Sequence, residues 1–308
     1  MARRLIGVDV GGTKVSVAVL EDGELSEPEL VGTDTSSCEA LVDQLEAQIR
    51  AAGVEDAAAV GIGIPSVVDF ATGTARASVN IPLKGVALRD VLGERLGTPV
   101  YVDNDATVAA LAEATGDDGE PIADSLVMFT VGTGVGGGIV LGGRIYRGAT
   151  GAAAELGHMI IGADLADGAP QTTEGFPQEG SLERLSAGRA LDRLGEERGI
   201  GDGHAVVEAA MAGNDDALGI LRILGGRLGV GIANAINAFD PDLVVIGGGV
   251  SAAGDLLLDP ARESAERFVL TGVGTKTEIR IARYGPVAGV RGAALLGGQE
   301  ADREANAA

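Results

Sequence analysis

Hydrophobic positions alternate between strand-like and helix-like stretches along the whole chain. Arg4–Val10 is an apolar run of buried-strand length, and Val15–Leu20 alternates like a second strand. The Asp22-Gly23 pair after it predicts a hairpin turn. Apolar residues recur at helical spacing over Ser36–Ala52, Val86–Leu96 and Asp105–Ala114, with strand signals at Ala57–Ile64 and Val100–Val102 between them. Pro65 and Thr72-Gly73 break into loop, and the polar, turn-rich Gly116–Pro121 is the predicted domain junction. A second series opens at Ser125–Val131 and continues through Gly138–Leu141, a Gly142-Gly143 turn and Ile145-Tyr146. Helices are predicted over Ser181–Arg198, Asp215–Phe239, Glu263–Leu270 and Val287–Gly298, and strands over Leu243–Ile246 and Glu278–Ala282. The last ten residues are polar and expected to fray. Such alternation predicts the α/β class.

The pattern echoes itself. A shift of 121 residues carries Val10, Gly11, Val19 and Leu20 onto Val131, Gly132, Val140 and Leu141, and sets Asp22-Gly23 beside Gly142-Gly143. The shared order of strand, Gly-rich turn, strand, short hairpin and strand predicts two related half-domains, each offering a Gly-rich turn to a shared cleft.

Composition narrows the function. A length of 308 residues suits two domains with real cores. With 23 basic and 45 acidic residues the formal charge is −22, which excludes a nucleic-acid binder working by phosphate neutralisation and disfavours anionic membranes. No apolar run approaches the ~20 residues of a membrane span. Met1-Ala2-Arg3-Arg4 runs into strand without a secretory apolar region, so a soluble, cytoplasmic protein is expected. The one cysteine, Cys38, excludes an intrachain disulfide and a multi-cysteine metal site. The acid excess, with Lys14, Lys84 and Lys276 the only lysines, fits a salt-rich cytoplasm. Glycine, at 50 of 308 residues, points to backbone packed closely on ligands or other backbone.

Five motifs carry candidate chemistry. Asp9-Val10-Gly11-Gly12-Thr13-Lys14 ends the first strand: backbone N–H groups, the Thr13 hydroxyl and the Lys14 cation suit a phosphate, and Asp9 suits a metal-bound water beside it. It is not a Walker A loop, because that spacing is missing and a strand follows. Gly132-Thr133-Gly134-Val135-Gly136-Gly137 has dinucleotide-type glycine spacing, but a strand rather than a helix follows, so a second phosphate loop is preferred to NAD binding. Gly247-Gly248-Gly249, after another strand, suits an adenosine or a plain turn. Asp103-Asn104-Asp105 reads either as a helix cap or as a polyol site with a proton acceptor. Glu155 and His158 sit three residues apart, whereas His204 reads as an exposed helix start.

Together Asp9–Lys14, Asp103–Asp105, Thr133–Val140 and Glu155-Leu156-Gly157-His158-Met159 resemble the ROK family of sugar kinases and repressors, and Gly180-Ser181-Leu182-Glu183 is similar to that family's G-C-L-E segment. The resemblance spans nearly the whole chain. It implies two actin-like (ribonuclease H-like) α/β domains around a central cleft: a small one over 1–115, a large one over 116–290, and a C-terminal helix over 291–308 packing back on the first. It implies a glucokinase-like enzyme using ATP and Mg²⁺, with Asp105 as base for the sugar 6-hydroxyl. Asn104, Asp105, Glu155, His158 and Glu183 would bind the sugar. Gly11, Gly12, Thr13, Lys14, Gly132, Thr133 and Gly134 would hold phosphates, Asp9 a water-bound magnesium, and Gly247, Gly248 and Gly249 would lie near the adenosine.

Two departures matter. Many family members bind zinc through the histidine matching His158 and three cysteines, but residues 164–180 contain no cysteine and Ser181 replaces that of G-C-L-E. No zinc is expected, and packing or residues such as Thr172, Thr173 and Glu174 must hold the loop. Ser66 stands where the family has glycine, in the expected wall of the sugar pocket. Fructose, mannose and N-acetylmannosamine remain alternatives to glucose, and ADP or polyphosphate to ATP. A sugar-responsive repressor is disfavoured by charge and by the absence of room for a DNA-binding segment before Asp9. A non-catalytic actin-like regulator is disfavoured by the complete residue set. A homodimer or larger homo-oligomer is expected, with the Asp215–Phe239 helix as a candidate face or simply core.

Overall fold

The computed structural model describes residues 3–78, 80–166, 168–169 and 171–307. Met1 and Ala2, the start of the segment read for a leader, lie outside the described residues, as does Ala308. Strands β1 (Arg4–Val10), β2 (Lys14–Glu21), β3 (Glu24–Leu25) and β4 (Glu29–Gly32) lead into helix α1 (Cys38–Ala51). Strand β5 (Ala59–Ile64) precedes the hairpin β6 (Ser66–Asp69) and β7 (Thr74–Ser78), then α2 (Leu88–Leu96), β8 (Val100–Asn104) and α3 (Asp105–Ala114). Next come β9 (Ser125–Val131), β10 (Val135–Leu141), β11 (Arg144–Ile145), α4 (Leu182–Ser186), α5 (Gly188–Glu197), α6 (Gly203–Met211) and α7 (Asp215–Phe239). Strand β12 (Leu243–Gly247), α8 (Asp255–Phe268), β13 (Glu278–Ile281) and α9 (Ala288–Ala307) complete the order.

The chain divides into two units, Met1–Asp124 with Gly138–Ala153 and Arg283–Ala308, and Ser125–Gly137 with Ala154–Ala282. The division falls at Asp124 rather than in the expected junction Gly116–Pro121. That segment closes on itself instead: the Gly116 N–H donates to the Glu120 carbonyl at 2.7 Å, and Thr115 pairs with Pro121.

In the first unit the sheet runs β3-β2-β1-β5-β8, with β4 also on β2. Strands β1, β5 and β8 are parallel, and β2 is antiparallel to β1. Successive side chains point to opposite faces. Ile6, Val8 and Ile62 therefore pack with Leu41, Leu45 and Leu92 of α1 and α2, while Leu5, Ala59 and Tyr101 pack with Val108 and Ala293 of α3 and α9. Gly61 lets α9 lie backbone to backbone on the sheet, since a Cβ there would strike the Ala293 carbonyl. Register aligns Asp9 with Gly63 and Gly63 with Asp103, bringing the candidate acidic residues to the C-terminal ends of adjacent parallel strands. That strand end is where open α/β sheets take ligands.

In the second unit β9, β12 and β13 are parallel, with Leu243 opposite both Leu126 and Glu278. Helix α7 packs on α8, and a Cβ at Gly229 would strike the Ala261 carbonyl. At 25 residues and mean hydropathy 1.3, α7 is long and apolar enough to cross a membrane, contrary to the sequence expectation that no such run exists. It reads as a core helix, because 61% of its most apolar window is buried within the protein and its Arg227 guanidinium donates to the Leu185 carbonyl.

The sequence echo takes three-dimensional form. Both short hairpins pair residues three apart, Glu21 with Glu24 and Leu141 with Arg144. Their central residues, Asp22-Gly23 and Gly142-Gly143, all have positive φ, the twist that such tight hairpins need.

Several element predictions need correction. The stretch Ser181–Arg198 is two helices, because Ala187 is extended (φ −71°, ψ 170°) and the Gly188 N–H turns to the Gly132 carbonyl. Helix α8 begins at Asp255 rather than Glu263, running through Pro260, whose ring packs on Gly225 of α7. The C-terminal residues are helical through Ala307 rather than frayed. Tyr101 donates to Glu304 at 2.8 Å, Arg89 pairs with Glu304 at 2.8 Å, and Arg3 pairs with Asp302. The hairpin β6–β7 and strand β4 were not foreseen.

Candidate active site

The predicted residues fall into two sets, one within each unit. In the first, Asp9 ends β1 and the turn Gly11–Thr13 follows, with Gly11, Gly12, Thr13 and Lys14 all at least partly exposed. The Gly11 N–H donates to the Lys14 carbonyl at 2.8 Å. Thr33 fastens the turn, its N–H donating to the Thr13 carbonyl at 3.1 Å and its hydroxyl to the Gly11 carbonyl at 2.7 Å. A cavity of about 240 Å³ opens here, its lining including Asp9, Gly11, Lys14, Ser16, Pro28 and Val287. Gly12 leaves room for Asn80, whose Cβ would lie 3.2 Å from a Cβ at position 12.

Asp105 is the first residue of α3, and Gly63 lets that helix lie close: a Cβ at Gly63 would sit 2.8 Å from Val108 Cγ2. Burial raises the Asp105 carboxyl above the usual carboxylate range, against the opposing hydrogen bond from the Ala106 N–H. Burial, reinforced by the Asp105 charge, pushes Asp9 up to about 7, with Lys14 pulling the other way. The first turn of α9 lies against Asp9, since a Cβ on Gly289 would sit 2.5 Å from its carboxylate. Asn104 caps α3, its Oδ1 accepting the Thr107 N–H at 3.1 Å, and its Nδ2 donates to the Ser66 carbonyl at 3.5 Å. The Ser66 hydroxyl is buried without a hydrogen-bond partner. Asp103 turns away into an ion pair, with its Oδ2 2.7 Å from Arg147 Nε. The triplet thus serves as cap, acid and structural anchor at once.

In the second unit the Gly132 N–H donates to the Gly134 carbonyl at 2.9 Å. Glu183 binds this turn: its Oε2 accepts the Val135 N–H at 2.8 Å, and a Cβ on Gly134 would lie 2.5 Å from it. Thr133, Gly248 and Gly249 are exposed and Gly247 is buried. Gly248 (φ +84°) lies on the Val131 backbone, where a Cβ could not fit. Glu155 follows Ala154, whose φ of +68° is unusual for a residue with a side chain. His158 Nε2 is 3.8 Å from Glu155 Oε2, and its ring meets Phe176 edge-on at 5.2 Å.

The loop after His158 is closed in part by Gln178, which was not among the residues proposed from sequence. Its Oε1 accepts the Thr173 N–H at 2.8 Å, and its Nε2 donates to the carbonyls of Thr173 at 2.8 Å and Gly175 at 2.5 Å. No local pattern distinguishes Gln178 from any surface glutamine. Arg147, Phe70 and Glu300 around Asp103 were likewise missed, because they come from distant segments.

The acidic residues suit magnesium. Among the described residues no group of three or more His, Cys, Asp or Glu could cage a metal. Magnesium needs no cage: one or two carboxylates with water and phosphate oxygens suffice, and the buried, oxygen-only Asp9 beside an exposed glycine turn is such a donor.

Comparison with known proteins supplies the lineage. The model of the ROK family matches residues 5–300. A glucokinase of Halalkalibacterium halodurans is 34% identical, over 96% of this chain and 94% of its own. An N-acetyl-D-glucosamine kinase of Aliivibrio salmonicida is 33% identical, over 94% and 98% respectively. The crystal structure of a ROK family glucokinase from Streptomyces griseus in complex with glucose and AMPPNP matches with TM-score 0.76 at 34% identity, over 96% of this chain and 99% of that one. The fold is that of the actin-like ATPases. Its glycine turns, its buried acids at the strand ends and a match over nearly its full length establish that the chain belongs to the ROK family.

Proposed function

We propose that the protein is an ATP-dependent hexokinase that transfers the γ-phosphoryl group of ATP to the 6-hydroxyl of glucose. The observation that carries this reading is the place of Asp105: a half-buried carboxyl at the start of the helix that Asn104 caps, beside Asp9, with desolvation holding it above the usual carboxylate range. Such an acid is suited to take the hydroxyl proton as the phosphoryl group arrives. Asn104, Glu155 and His158 would orient the sugar hydroxyls. The turns at Gly11–Thr13 and Gly132–Gly134, with Lys14, would hold phosphate oxygens through backbone N–H groups, and Gly247–Gly249 would lie against the adenosine. Asp9 would hold magnesium through water, and the bound ion would supply charge neutralisation on the phosphates. Glu183, expected from sequence to bind the sugar, also accepts the Val135 N–H and so would support the phosphate turn.

A kinase of N-acetylated hexoses is the second reading, favoured by the A. salmonicida relative. Under either reading the protein works in the cytoplasm, where ATP and free sugar meet. The test is a coupled assay with Mg-ATP over glucose, fructose, mannose, N-acetylglucosamine and N-acetylmannosamine, run in molar KCl and in dilute buffer. Preference for glucose is the expected result. Turnover of another sugar would move the substrate and keep the chemistry, and no turnover from folded protein at either salt would overturn the kinase.

A further inference from the structure

Four segments of the first unit meet on one guanidinium. Arg147 follows β11, in a loop that its own carbonyl closes by accepting the Ala153 N–H at 3.1 Å. Its Nε donates to Asp103 Oδ2 at 2.7 Å, and a terminal nitrogen donates to Glu300 Oε1 of α9 at 3.2 Å. Its guanidinium carbon stands 3.4 Å from the Phe70 ring centroid, just beyond β6. The Asp103 and Glu300 side chains are only 3% and 8% exposed, so the ion pairs are shielded from water. The other oxygen of Asp103 accepts the Asn104 N–H at 2.9 Å. The cluster therefore ends on the peptide that carries the helix cap, one residue before Asp105.

We propose that Arg147 is a positioning residue for phosphoryl transfer: held by Phe70 and Glu300, its guanidinium fixes the Asp103 carboxylate, which sets the Asn104 peptide and hence the aim of Asp105. The inference rests on the reading of Asp105 as base. A planar fork can serve two carboxylates in fixed directions and stack on a ring, which a lysine ammonium cannot. A shift of ~1 Å in a reacting group is enough to cost up to ~10²-fold in rate. Arg147 itself needs no contact with sugar or nucleotide to act in this way.

The variants Arg147→Lys, which keeps the charge and loses the fork, and Glu300→Gln, which weakens one arm, test the idea. Hexose kcat and KM, Mg-ATP KM and thermal midpoint are measured for each and for wild type. The expected result for Arg147→Lys is a fall of about tenfold or more in kcat/KM for hexose, with Mg-ATP KM within about twofold and the folded fraction unchanged. An unchanged hexose kcat/KM, or losses that track the folded fraction for both substrates, would overturn the proposal. Should Arg147→Lys not fold, Glu300→Gln decides: a selective fall in hexose kcat/KM supports the proposal, and wild-type kinetics overturn it. Asp105→Asn in parallel separates the two readings, since full activity there removes the base while leaving the Arg147 result to be judged on hexose KM.

Discussion

Glu183 Oε2 accepts the backbone N–H of Val135 at 2.8 Å, so a carboxylate from α4 fixes the way out of the Gly132–Gly134 turn. Loss of a charge-assisted hydrogen bond costs about 1.5–3 kcal/mol. Glu183→Ala should therefore raise the Mg-ATP KM roughly tenfold, and Glu183→Gln, which keeps an acceptor, should raise it less. A rise in hexose KM alone would instead return Glu183 to the sugar.

Asp105→Asn should lower kcat by about 10²–10⁴-fold with little change in hexose KM, because the amide keeps its shape but cannot take a proton. Activity within a few-fold of wild type would mean that another group serves as base.

Burial and the Asp105 charge raise Asp9 from its ordinary 3.8 to about 7, so between those limits the folded protein holds this proton more tightly than the unfolded chain. The contribution to stability is complete below the unfolded value, falls as pH rises through the window, and is spent above about 7. Asp9→Asn should gain stability relative to wild type, on the order of a few kcal/mol at most, between pH 5 and pH 8. Thermal melts of the magnesium-free proteins across that range provide the check, and a constant difference would contradict the shift.

Gln178→Ala removes three hydrogen bonds from the loop that carries Phe176 onto His158. Limited proteolysis should cut residues 171–178 faster, and hexose KM should rise several-fold. Equal cleavage rates in variant and wild type would mean that other contacts hold the loop.

Ala154 holds a left-handed backbone at a cost that glycine avoids. Ala154→Gly should leave stability equal or raise it by up to about 1 kcal/mol, the relief of φ exceeding the added chain entropy. A clear loss in a denaturant melt would show that the Ala154 methyl packs usefully.

Much of this was legible because local signals and tertiary needs agreed. Asp215–Phe239 and Asp105–Ala114 begin and end where their caps and periodicity say, with Asn214 and Asn104 accepting N–H groups at their starts. The hairpins at Asp22-Gly23 and Gly142-Gly143 were readable because positive φ favours glycine at a tight hairpin. What escaped depends on contacts between distant segments. The first turns of α8 before Glu263 run through Pro260, which packs on Gly225, and the polar C-terminus was expected to fray but is met by Tyr101, Arg89 and Arg147. The bond from the Val135 N–H to Glu183 was not legible, because a motif gives a residue's neighbourhood and not the direction of its side chain.

The placement of α9 has a consequence for synthesis. Residues 154–282 of the second unit emerge from the ribosome before the helix that covers Gly7 and Gly61 of the first. The first sheet must therefore wait, one face covered only in part by α3, while the second unit has every residue it needs. The second unit is free to fold first, and contacts such as Gly61 with Ala293, spanning most of the chain, make closure of the first unit the late and slow event.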